Sequence, residues 1–164
     1  MRLFRKEEID STRNEFREKG YEEVSSDLEK RDFTYFILPR FLSNDLPDFV
    51  LRMTGEPEDG YVFGISESVD PFWRVYPVAH EFIECIEIGI NTPNGCVKAL
   101  EEELLLVPAE MKKDYISMRR QYFRNLASYA QDRSDEYTKF DVVQFQKNAE
   151  KLEGMMKESN YTIT

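Results

Sequence analysis

An α+β fold is predicted by three short runs of aromatic and β-branched residues followed by amphipathic segments at helical spacing. The expected architecture is a small, mainly antiparallel sheet of about three strands covered on one side by about five helices, with a helix-rich C-terminal half. One helix precedes the strands and four follow. The 164 residues contain no internal repeat and no low-complexity linker, so residues 1–164 are expected to form one domain. A chain of this size buries a core without disulfides or metals as staples.

Residues 5–19 read as a polar, weakly amphipathic helix anchored by Ile9 and Phe16 and stopped at Gly20. From Tyr21 to Arg31 the chain is charged and irregular, a connection or a short edge strand. Asp32-Phe33-Thr34-Tyr35-Phe36-Ile37-Leu38 ends at Pro39 and has the composition of a strand with both faces at least partly covered. Phe49-Val50-Leu51-Arg52-Met53 and Tyr61-Val62-Phe63-Gly64-Ile65-Ser66 flank a run of turn formers, which predicts a hairpin. A connection of about one helical turn through Asp70-Pro71-Phe72-Trp73-Arg74 then leads to a helix over Pro77 to Ile88, with Gly89 just past its end. Cys96 to Val107 form a second amphipathic helix with Val97, Leu100, Leu104 and Val107 on one stripe. Pro108 opens a long helix to about Tyr129, with Met111, Tyr115, Met118, Tyr122, Leu126 and Tyr129 facing the core. The last helix spans Phe140 to Lys157, and Asn160 to Thr164 are a tail.

Charge excludes some function classes. With 22 Lys plus Arg against 32 Asp plus Glu, the net charge of −10 argues against phosphate-backbone binding and anionic membrane surfaces. Nucleic acid is therefore not an expected partner, whereas a protein or peptide partner, including a positively charged one, fits. The oligomeric state is left open. No apolar run at the start suits a signal peptide and none approaches a membrane span, which predicts a cytoplasmic protein with Cys85 and Cys96 reduced. Glu81 to Glu110 hold seven Glu and one Lys, while Met111 to Arg133 hold six Lys or Arg and two Asp, so these segments are expected to lie together.

The candidate site centres on the only histidine, in Tyr76-Pro77-Val78-Ala79-His80-Glu81-Phe82-Ile83-Glu84. At about 100° per residue, Val75, Val78, Ala79, Phe82, Ile83 and Ile86 form an apolar stripe while His80, Glu84 and Glu87 point the other way. His80 and Glu84, four apart, can meet on one metal ion. One imidazole with two or three carboxylates would suit Mn, Fe or Mg as well as Zn. Such carboxylates repel one another and raise a pKa among themselves. Cys85 and Cys96 with His80 would make a three-ligand set, but Cys85 lies about 140° around the helix from His80, so one ion does not readily take both. A cysteine nucleophile with His80 as base fails for the same reason, and Cys96 could approach only through a fold contact. Phe72, Trp73 and Tyr76 pack in the core or, if exposed beside His80, form the wall of a binding cleft.

His80-Glu81-x-x-Glu84, followed by a loop and an acidic helix ending in Glu101-Glu102-Glu103-Leu104-Leu105-Leu106-Val107-Pro108, resembles a degenerate small gluzincin-type metallopeptidase over residues 61–110. The closest likeness is to the repressor-cleaving phage and bacterial peptidases, which carry a Leu-Leu-Met-Pro segment after their second ligand helix. The resemblance implies His80 as first ligand and Glu81 as general base. The second histidine is replaced by Glu84, and the family's spacing puts Gly95 where the third ligand should be. Glu102, or a neighbour among Glu101 to Glu103, would complete the shell only with altered spacing. Two expectations follow: a binding or regulatory protein on a disarmed zincin-like scaffold, or a metal-dependent, peptidase-like hydrolase in which Glu81 activates water.

Overall fold

A computed structural model describes the backbone of residues 3–162 and the side chains of residues 3–158. The opening Met1 and Arg2 lie outside the described residues. α1 (Lys6–Glu18) buries Ile9 and Phe16, and Gly20 takes the left-handed conformation, φ +75°, that ends the helix. β1 (Glu23–Leu28) and β2 (Arg31–Leu38) form a hairpin whose two turn residues, Glu29 and Lys30, both have positive φ. The charged stretch before Arg31 is thus a fourth strand, its alternate residues half-buried as suits the edge of a sheet.

β3 (Val50–Thr54) and β4 (Tyr61–Ser66) pair antiparallel, as the turn formers between them require. The strand order is β1-β2-β4-β3, and β2 pairs with β4 in parallel. The sheet is therefore mixed. Gly64, in the strand flanked on both sides, leaves room for the Leu38 side chain to cross it.

Both faces of this sheet are covered. Phe16 of α1 meets Phe36 edge-on at 5.3 Å on one face. On the other, Phe33, Tyr35, Phe63 and Ile65 pack against Val78 and Ala79 of α2 (Val75–Phe82). The expectation of helices on a single side fails because α1 bears its own apolar pair and binds the opposite face.

α2 runs without a break into a π-helical segment, Ile83–Gly89, closed by Gly89 at φ +99°. α3 (Gly95–Leu106) follows, then a short 3-10 turn at Ala109–Met111 and α4 (Lys112–Gln131). α5 (Lys139–Thr162) lies along α4, where Arg120 and Arg124 both donate to Glu153. The tail expected from Asn160 is helical as far as Thr162, and residues 163 and 164 lie outside the described range. No helix among the described residues is long and apolar enough to cross a membrane.

Candidate metal centre

α2 is buried on both sides. Its apolar stripe lies on the sheet, and α3 and α4 close over the side that carries His80, leaving His80 2% exposed and Glu84 8% exposed. His80 and Glu84 are therefore interior, because two later helices cover them, whereas Glu87 stays at the surface and accepts from Arg31.

α3 contributes residues seven apart, Cys96 and Glu103, which share one face of the helix. Glu103 Oε1 lies 2.8 Å from His80 Nδ1. Its carboxylate also accepts from Arg119 Nε at 2.8 Å and Nη2 at 2.9 Å, and from the Tyr115 hydroxyl. Burial pushes the Glu103 pKa up, but the bidentate Arg119 guanidinium and His80 outweigh it and bring it to about 2. Arg119 in turn lies over the rings of Phe123 (4.6 Å) and Tyr122 (5.0 Å). The imidazole is thus fixed from behind by a carboxylate that is itself fixed.

The other ring nitrogen faces two donors. His80 Nε2 is 3.5 Å from Cys96 Sγ and 3.4 Å from Glu84 Oε2, and one donor atom from each residue lies within 4.8 Å of the others. Burial favours a neutral imidazole, but Cys96, Glu103 and Glu84 together hold the His80 pKa well above its usual value. The Cys96 thiol is pushed up, chiefly by burial. α5 orients this cysteine: Gln144 Oε1 accepts from the Cys96 amide at 2.9 Å, and Asn148 Nδ2 points to Cys96 Sγ at 3.3 Å.

β3 supplies a counter-charge. Arg52 Nη1 stands 3.0 Å from Glu81 Oε2, 3.1 Å from Glu84 Oε2 and 3.5 Å from Cys85 Sγ. Burial raises Glu81, whereas in Glu84 burial is outweighed by Arg52 and His80, so its pKa falls to about 2. The two carboxylates therefore separate, chiefly through the burial of Glu81 and the charges beside Glu84, with repulsion from Glu84 a lesser cause of the rise in Glu81. Burial drives the Cys85 thiol up to about 12 and makes it inert.

The third glutamate is Glu103, not Glu102. Glu102 sits on the surface 4.0 Å from Arg31, and Glu101 pairs with Lys151 at 2.9 Å. The aromatic group also divides: Phe72 is 79% exposed, while Trp73 and Tyr76 pack edge-on against Tyr115 and buttress the site without walling a cleft.

The two separations from His80 fit a tetrahedral ion. Bonds of about 2.0–2.3 Å to zinc at tetrahedral angles separate nitrogen from sulfur by about 3.5 Å and nitrogen from carboxylate oxygen by about 3.4 Å. The His80 separations match both values. Three buried carboxylates face two guanidiniums, so one negative charge remains; a proton on His80 balances it, as does a divalent ion with Cys96 as thiolate. The sequence set the cysteine–histidine ligand set aside on the angle of Cys85, and it did not single out Arg52, Arg119 or Asn148. No family model, no curated protein and no solved structure matches the chain.

Proposed function

We propose that this is a non-catalytic binding or regulatory protein built on a disarmed zincin-like helix pair. The observation that carries the reading is Arg52, whose guanidinium holds Glu81 and Glu84 together inside the molecule. Three protein donors are the number a catalytic zinc ion carries, but catalysis also needs a base free to take a proton from water and a path for substrate. Here the base is largely enclosed and ion-paired to Arg52, although its Oε2 accepts no hydrogen bond among the described residues, and the triad has no exposed side. Two surface depressions, one beside Arg124 and Glu153 and one beside Arg40 and Ser68, include none of these residues.

A protein or peptide partner suits the surface better than a small substrate. The loops leaving the carboxyl ends of the parallel strands β2 and β4 hold Phe41 64% and Phe72 79% exposed, and the Arg40 amide donating to Glu67 links the two loops. Aromatic side chains held in water are anchors for association. The two free cysteines support a reducing, cytoplasmic setting.

The competing reading, a metal-dependent hydrolase, draws on one observation: burial raises Glu81, as suits a general base. One experiment separates the two. Metal-replete protein incubated with a peptide library should leave every peptide intact. Cleavage that disappears in Glu81→Gln overturns the non-catalytic reading.

A further inference from the structure

We infer that His80 Nε2, Glu84 Oε2 and Cys96 Sγ bind one divalent ion of the zinc class inside the fold, with Glu103 and Asn148 as its supporting groups. The inference deepens the reading above, because an ion held here would brace α2 against α3 and not reach a substrate.

Three independent features carry it. The first is spacing. The 3.4 Å from His80 Nε2 to Glu84 Oε2 exceeds a good nitrogen–oxygen hydrogen bond, and it and the 3.5 Å to Cys96 Sγ equal the distances between ligands around a tetrahedral ion. The second is support behind two of the three donors. A carboxylate on the far imidazole nitrogen, at 2.8 Å, fixes the ring and raises its basicity, an arrangement that histidine ligands share. The Asn148 amide, fully buried, aims Nδ2 at the sulfur from 3.3 Å, a contact suited to a thiolate. The third is charge. A divalent ion bound by a thiolate and a carboxylate, with neutral imidazole, leaves the cluster neutral once Arg52 answers Glu81 and Arg119 answers Glu103.

The sulfur decides the metal. Thiolate and imidazole favour zinc, with cobalt as its spectroscopic substitute, over the Mg or Mn that an all-carboxylate shell would accept. This narrows the choice of Zn, Mn, Fe or Mg that His80 with glutamates alone leaves open.

Cobalt titration of the full chain tests the inference. The expected result is one Co²⁺ per chain with a thiolate-to-metal charge-transfer band, lost in Cys96→Ser and retained in Cys85→Ser. Saturation without the band, or a band that depends on Cys85, overturns it. A measurement free of mutation stands beside it: X-ray absorption of the zinc-loaded protein should place one sulfur at about 2.3 Å and lighter atoms at about 2.0–2.2 Å. A shell without sulfur sinks the site but leaves the non-catalytic reading standing. Peptide cleavage would do the reverse.

Discussion

Among single residues, Glu103 and Arg119 have the most at stake. Each is almost wholly enclosed, and Arg119 donates two hydrogen bonds to the Glu103 carboxylate. Arg119→Met would strand a carboxylate in the core, so it should destabilise the protein by about 3–5 kcal/mol in urea unfolding. Arg119→Met with Glu103→Leu should recover part of that loss; a double variant no better than the single one refutes the pairing. Both residues were legible in a way the triad was not. Glu103 follows Leu100 by three and precedes Val107 by four, and Arg119 follows Tyr115 by four, so each charge lies on an apolar stripe. Opposite charges on the buried stripes of two helices point to a buried pair. Glu102 lies off that stripe, which is why it reaches solvent. Cys96 had no comparable signal, since only the docking of α3 on α2 brings it to His80.

The elements follow local rules except where tertiary contacts override them. β4 occupies the run Tyr61 to Ser66 that its composition marks, and α1 ends at the glycine that stops it. The π-helical segment escapes such reading, because bonding to the fifth residue back cancels the 100° arithmetic beyond Phe82. Cys85 accordingly turns towards Arg52. β1 looked irregular because it is an edge strand whose outward positions are charged or polar. Its turn into β2 is built from two residues with Cβ atoms, Glu29 at φ 48° and Lys30 at φ 68°, where glycine and asparagine are preferred. Lys30→Gly should therefore raise stability by about 0.5–1 kcal/mol, read as a higher urea midpoint with an unchanged slope. A lower midpoint would show that Lys30 makes a contact worth more than the strain.

At the scale of the molecule, the α+β class was readable from composition and period, whereas the parallel pairing of β2 with β4 was not, since no local residue specifies which edge a later strand joins. The buried charges give the whole fold an acid limit. Glu84 and Glu103 titrate near 2 in the folded state against an ordinary 4.5, so the stability they contribute is complete above about 4.5 and lost as pH falls towards 2. Glu81, raised by burial, and His80, raised by its anionic neighbours, act with the opposite sign and add stability as pH falls from 7 to 5. With chelator present, the urea midpoint should not fall between pH 7 and 5 and should fall steeply by pH 3; a flat profile would mean that these acids are not ionised inside. With His80 2% exposed and Phe123 at 5.9 Å, nothing diffuses to the imidazole through the native packing. Traffic to and from that interior is consequently a breathing event. Whatever lodges there departs no faster than α2 and α3 part, a clock wound by helix packing and, for an ion tied to both, wound tighter by its own bonds.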